Sequence, residues 1–501
     1  MAKCIMVQGT SSNVGKSLIS AGLCRIFANA GYKTAPFKSQ NMALNSYITK
    51  EGFEIGRAQA VQAECAYQHI DVRFNPVLLK PTGNKTSQII INGEVYGNMT
   101  AAEYFAEKHK FIKYVKESYE SLNKEYDVIV IEGAGSPAEI NLNHKDFVNM
   151  GMAQIAQSPV LLAGDIDRGG VFASLYGTVE LLKEYKNYFK GFIINKFRGD
   201  KAILESGLIH LEKLTGIDVL GVLPFKKFNI DEEDSLAEIL RNTEKGLIDI
   251  AVVKLPRISN FTDFAVFEYY DGVKVRYINN IADFGEPDLL IIPGTKNTID
   301  DMKYIRSSGL ITKIIQYAET GKGIIGICGG YQMLTSIIKD PYNMEAGGNV
   351  QGLGLIKAET IFEKEKVRTV VQGKFNNIKG YFSFLNGAEF AGYEIHMGRT
   401  YSDNCNISEI KDTFGSVKYD GLSENNILGT YIHGVFDAGD VVKRIIDKLK
   451  QEKGIDKITE EKDINELKNR EYEKLADMLV NYLDISKIYE IMEKGVQYGK
   501  R

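Results

Sequence analysis

Gly9-Thr10-Ser11-Ser12-Asn13-Val14-Gly15-Lys16-Ser17 joins an apolar run over 4–8 to a helical pattern over 17–30. A glycine-rich loop between a strand and a helix lets successive backbone N–H groups surround a phosphate, and the helix N-terminus adds partial positive charge. In that reading Gly9, Thr10, Asn13 and Gly15 shape and line the loop, Lys16 reaches the β- and γ-phosphates, and the Ser17 hydroxyl binds Mg²⁺. Five residues separate Gly9 from Gly15, one more than in the common form of the motif.

Outward from this loop, short β-branched runs at 33–37, 126–132, 159–164, 191–195 and 219–223 alternate with helical patterns at 56–68 and 202–215. Such alternation predicts a parallel sheet with helices on both faces. The run ending at Glu132 places an acid at the carboxyl end of a strand, where a second Mg²⁺ ligand is expected. Asp165 and Asp167 follow another strand in the same way, and Arg168 could meet phosphate or a substrate carboxylate. A second series begins near 248, with strands expected at 248–255, 273–277, 288–293, 323–327 and 428–432.

With 501 residues the chain exceeds what one core supports, so two α/β domains are expected, at 1–245 and 246–450, with a charged helical tail at 451–501. The weakly apolar stretch 231–246 reads as their boundary. Leu475, Leu479 and Leu483 recur at helical spacing, which predicts surface helices laid over the second domain. Lysine and arginine total 61 against 65 acids, a net charge of −4 that argues against a nucleic-acid partner. Apolar runs such as 128–131 and 289–293 fall short of a membrane span. Five cysteines (Cys4, Cys24, Cys65, Cys328 and Cys405) stand apart without CxxC pairs, and no secretory leader is evident, so a cytoplasmic protein with reduced thiols is expected.

One of those cysteines differs from the rest. Gly326-Ile327-Cys328-Gly329-Gly330-Tyr331-Gln332 sets Cys328 at a sharp strand-to-helix turn, where small neighbours permit a strained nucleophile elbow. The Gly329 N–H and the loop around Gly294 are candidate oxyanion donors. Of six histidines, His433 in Thr430-Tyr431-Ile432-His433-Gly434 also ends a strand and is the expected base, with His396 its competitor. His69, His109, His144 and His210 lie in the first half and read as structural or solvent-facing.

With Cys328 and His433 in place, the second half resembles the class I glutamine amidotransferases, which release ammonia from glutamine through a thioester. The acid usual two residues after the histidine is absent, since Val435 stands there. That departure matches the subgroup joined to cobalamin-pathway synthetases, and Asp437 or Glu394 would then orient the imidazole. The first half looks like dethiobiotin synthetase and its relatives, in a P-loop NTPase-like fold that phosphorylates a carboxylate. In this order the pair is similar to the cobyric acid synthase family. The stretches 36–46, 132–142, 165–170, 191–200, 392–400 and 429–437 carry that resemblance over nearly all of 1–450. At 257–265 the family usually continues with a second Asp and a Pro, which this chain lacks.

The resemblance implies ATP and Mg²⁺ as reactants with no bound prosthetic group, glutamine as nitrogen donor and a corrinoid polycarboxylate as acceptor. It implies amidation of the b, d, e and g carboxylates of adenosylcobyrinic acid a,c-diamide. Lys38 matches a lysine near the γ-phosphate in the phosphorylating relatives, and Asn195 matches their adenine-reading position. The a,c-diamide synthase of the same pathway shares both halves. From another class comes a P-loop ATPase switch with an inactive amidotransferase half; its usual early-loop lysine is replaced here by Thr10 and Ser11.

Overall fold

The computed structural model describes every residue except 83–85, 143–145, 232–241, 405, 438–439, 456–462 and 497–501. Cys405, His144 and most of the expected boundary stretch therefore lie outside the described residues. The first half folds around a six-stranded parallel sheet in the order Val219–Pro224, Phe189–Phe197, Val160–Asp165, Lys3–Gly9, Val128–Glu132, Thr34–Phe37. Val128–Glu132 is buried along its whole length and Val160–Asp165 along all but its last residue, as continuous apolar runs covered on both faces by helices require. Chain order reverses beside Lys3–Gly9, so the loop after that strand opens at a topological switch point.

The second half repeats the plan. Strands Val273–Ile278, Ile248–Val253, Leu289–Ile292, Ile324–Ile327 and Ile427–Thr430 run parallel, with Leu422–Glu424 antiparallel at the edge. Besides the small antiparallel pair Ser46–Ile48 with Glu54–Gly56, two larger sheets were not anticipated. One, Gln40–Met42 with Val77–Pro81, Thr86–Ile91 and Glu94–Thr100, projects from the first half. The other is built on the long strand Ile356–Phe375, paired antiparallel with Glu389–Tyr401.

The C-terminal helices correct one expectation. Ile464 and Leu467 open the helix Ile464–Tyr482 against the second half, but the rest of its apolar stripe and that of Ile485–Lys494 turn onto the first. Leu475, Leu479, Leu483, Ile488 and Met492 join one buried cluster with Ile19, Leu23 and Phe27 of the helix Lys16–Asn29. The chain thus returns to cover the helix that its own phosphate-type loop begins, and a Cβ at Gly22 of that helix would stand 2.7 Å from Leu479. Asp484 N–H donates to Leu220 O at 2.8 Å, tying the same segment to the sheet edge. Among the described residues no helix is long and apolar enough to cross a membrane.

Candidate active site

Two sites form, one at the carboxyl end of each parallel sheet. In the first, Asn13 and Gly15 hold positive φ angles of 61° and 97°, which curl the loop so that the helix starts at Lys16. Gly15 must be glycine on two grounds, its φ and the Asn195 amide that would lie 2.2 Å from a Cβ. Lys16 Nζ donates to Ser11 O at 2.9 Å and Gly135 O at 3.1 Å, spanning the loop. Burial lowers its pKa to about 8, against the opposing pull of Glu132.

Glu132, buried at its strand end, gathers donors from three elements. Ser17 Oγ and Lys38 Nζ donate to one carboxylate oxygen at 2.8 and 2.9 Å, and Gln62 Nε2 to the other at 2.6 Å. Burial alone would raise its pKa, but Lys38 and these hydrogen bonds outweigh it and hold the group ionised below the usual carboxylate range. Ser17 and Glu132 thus put two oxygen donors side by side, the ligand chemistry of a hard divalent cation. Asn13, Gly15, Lys16, Ser17, Lys38 and Glu132 all line a cavity of about 1450 Å³.

Two predicted members of the loop take a different place. Thr10 N–H is spent on Ala163 O at 2.9 Å, and a Cβ at Gly9 would meet Val14 Cγ2 at 2.4 Å. Both brace the loop from behind. Asn195 borders the cavity, yet its amide donates to Val14 O at 2.8 Å and its oxygen accepts from Lys196 N–H at 2.8 Å. In this arrangement it buttresses the loop. Arg168 also borders the cavity.

In the second site Cys328 links Ile324–Ile327 to the short helix Gly329–Leu334 with φ 52° and ψ −106°, a strained conformation for a residue with a side chain. The following glycines allow it: a Cβ at Gly330 would lie 1.9 Å from Ile292 O, and one at Gly329 2.7 Å from Thr295. The Cys328 thiol donates to Ile395 O at 3.8 Å, and His433 borders the same cavity as this cysteine. The histidine is fixed by two backbone bonds to Tyr393, 2.9 and 3.0 Å, and its ring stacks on that tyrosine at 5.5 Å. Gly294 backs onto the same imidazole, leaving 2.9 Å between a notional Cβ and His433 Cε1.

Neither Asp437 nor Glu394 orients His433. Asp437 faces Lys468 at 3.6 Å, while Glu394 bonds His396 and Lys418. The partner is Asp263, whose Oδ2 lies 2.7 Å from His433 Nδ1 and whose Oδ1 accepts the Gly434 N–H at 3.2 Å. Burial works against protonation, but Asp263 above all, then Cys328, pushes the His433 pKa up to about 10. Sequence reasoning missed Asp263 because 170 residues separate it from His433. The one hint was that it lies in the 257–265 stretch where the family pattern breaks. His396 is held elsewhere, its Nδ1 2.8 Å from Gly398 O and its ring stacked on Tyr431 at 3.9 Å.

Cys328 and His433 border a cavity of about 50 Å³ together with Lys296, Glu345 and Gln332, and the first half adds Lys80, Thr82 and Gln88 to its wall.

Comparison with known proteins agrees with both halves. Residues 5–236 match the CobQ/CobB/MinD/ParA nucleotide binding domain, and 249–441 match the CobB/CobQ-like glutamine amidotransferase domain. A protein of Ruminiclostridium cellulolyticum described as cobyric acid synthase is 53% identical, over 100% of this chain and 99% of its own length. Proteins of Lachnoclostridium phytofermentans and Alkaliphilus metalliredigens with the same description are 52% and 50% identical, over 99% and 97% of this chain and 100% and 99% of theirs.

Proposed function

The chain belongs to the cobyric acid synthase family, and on that premise we propose that it amidates the b, d, e and g carboxylates of adenosylcobyrinic acid a,c-diamide with ATP and glutamine. One observation carries the reading. A Cys328–His433–Asp263 relay and a Lys16–Ser17–Lys38–Glu132 cluster occur in one chain, at the carboxyl ends of two adjoining sheets.

At the glutaminase site the Cys328 sulfur attacks the carboxamide carbon, and the oxyanion that forms is met by the N–H of Gly329 and the loop at Gly294. His433 gives its proton to the departing nitrogen, so ammonia leaves and a thioester remains. Water then hydrolyses the thioester to glutamate. Asp263 holds the ring in the tautomer that presents Nε2 to the sulfur, and its charge stabilises the imidazolium.

At the other site a substrate carboxylate oxygen attacks the γ-phosphorus of ATP, ADP leaves, and an acyl phosphate forms. Ammonia attacks the acyl carbon and inorganic phosphate departs. Lys16 and Lys38 offset the charge of the transferring group. Ser17 and Glu132 would hold Mg²⁺, which supplies further charge neutralisation when bound. Asn13 and Gly15 present the loop backbone to phosphate. Asn195 acts by bracing Val14, and any contact with the base would be additional to that. The cavity of about 1450 Å³ is large enough to admit nucleotide and part of a bulky acceptor together.

The test is incubation with adenosylcobyrinic acid a,c-diamide, MgATP and glutamine while product mass is followed. Four successive ATP-dependent amidations are expected. Amidation of cobyrinic acid instead would assign the chain to the a,c-diamide synthases. ATP hydrolysis without amidation of either acceptor would favour a nucleotide-driven switch.

A further inference from the structure

The cavity beside Cys328 is bordered by two half-buried groups of opposite charge that the chemistry above does not use. Lys296 follows the Gly294–Thr295 turn, and Glu345 reaches in from the other side to accept the Thr298 N–H at 2.6 Å. Each feels the other's charge, yet no ion pair joins them. Two other lysines stand nearby, and both have an acid: Lys80 and Lys366 lie 2.7 and 2.6 Å from the two oxygens of Glu54. Among the described residues Lys296 hydrogen-bonds the neutral Gln88 oxygen, at 3.1 Å, and feels the Glu54 charge without a direct contact to it.

Burial therefore dominates at both groups. It draws the Lys296 pKa down, helped by Lys366 and Lys80, and drives that of Glu345 up. Charges partly withdrawn from water without a direct ionic partner are costly to keep. A ligand carrying one carboxylate and one ammonium would compensate both at once.

We propose that Lys296 and Glu345 bind the head group of glutamine, Lys296 taking the α-carboxylate and Glu345 the α-ammonium, with the carboxamide directed to Cys328. The assignment rests on the glutaminase reading of Cys328 and His433 and adds the residues that select the amino acid.

The experiment follows ammonia release from L-glutamine, from 4-carbamoylbutanoate, which lacks the amino group, and from glutaminamide, which lacks the carboxylate charge. In the native enzyme both analogues should show a KM on the order of tenfold to a hundredfold above that of glutamine. Glu345→Gln should raise the glutamine KM by a similar factor, change kcat far less, and leave 4-carbamoylbutanoate almost unaffected. Lys296→Gln should do the same for glutaminamide. Amidation from free ammonium, which bypasses this pocket, reports whether each variant has folded. Equal KM values for the three compounds in the native enzyme would overturn the proposal without any variant. So would variants that lose glutamine and the matching analogue in equal proportion. Should the native enzyme release no ammonia from glutamine, the glutaminase reading itself would fall, and that result is separately visible.

Discussion

At the residue scale, the arrangement around His433 makes the sharpest claims. Its raised pKa depends first on the Asp263 carboxylate, so Asp263→Asn must let the imidazolium lose its proton at lower pH. The alkaline limb of glutamine hydrolysis should then move to lower pH, with kcat reduced on the order of a hundredfold to ten-thousandfold. A pH–rate profile of ammonia release checks both, and an unmoved limb would separate Asp263 from the titration. The stability linkage has the same sign. A histidine raised from 6.5 to about 10 on folding contributes stability fully present below pH 6.5 and lost as pH climbs through 10. Cys328→Ala removes the nucleophile and leaves the other site untouched, so glutamine-dependent amidation should vanish while ammonium-dependent amidation persists. Lys16→Ala should abolish amidation from either nitrogen source, measured as corrinoid product mass. Retained synthesis with ammonium would disconnect the loop lysine from phosphoryl transfer.

At the scale of elements, the C-terminal helices behave as part of the first domain. Leu479 is buried against the helix that the phosphate-type loop begins. Leu479→Ala should cost about 2–5 kcal/mol, and the loss should appear in the unfolding of the nucleotide-binding half. Urea titration with and without ATP would reveal it, and a change confined to the second half would contradict the packing. Much of the surrounding architecture was legible beforehand. Most strands of the two parallel sheets are short, largely buried apolar runs, and such runs announce themselves without any partner. The loop at Gly9–Ser17 and the elbow at Cys328 were legible for the same reason, since their glycines answer to local backbone geometry. The helical stripe of Leu475, Leu479 and Leu483 was equally visible, but periodicity identifies a buried face and not what buries it. The sheet containing Val77–Pro81 and Thr86–Ile91 escaped notice because it mixes polar and apolar residues on both faces. Asp263 escaped because an acid brought to His433 from a distant 3₁₀ helix has no spacing to read.

At the scale of the whole molecule, that unanticipated sheet stands between the two cavities. Along Val77–Pro81, Leu79 and Pro81 face the large cavity while Lys80 faces the small one. On the next strand Thr86 and Ser87 border the first, and Gln88 the second. The first domain is therefore a wall of the glutaminase pocket, held there by buried contacts across the halves. Glu54 pairs with Lys366 at 2.6 Å, Ser46 N–H donates to Asn260 at 3.2 Å, and Tyr393, stacked on His433, donates to Ser46 O at 3.0 Å. Ammonia released into bulk water at neutral pH becomes ammonium and loses its nucleophilic lone pair, so a sealed interface should matter to the yield of amide. Native enzyme supplied with unlabelled glutamine and ¹⁵N-ammonium should build product almost entirely from glutamine nitrogen. Glu54→Gln leaves Lys80 and Lys366 buried without their acid, a loss of about 3–5 kcal/mol of interface stability. The loosened interface should admit ¹⁵N to the product and release unused ammonia to solution, while each half-reaction continues. Product mass and free ammonia measured together decide the matter, because a seal made elsewhere would leave the isotope ratio of Glu54→Gln identical to that of the native enzyme.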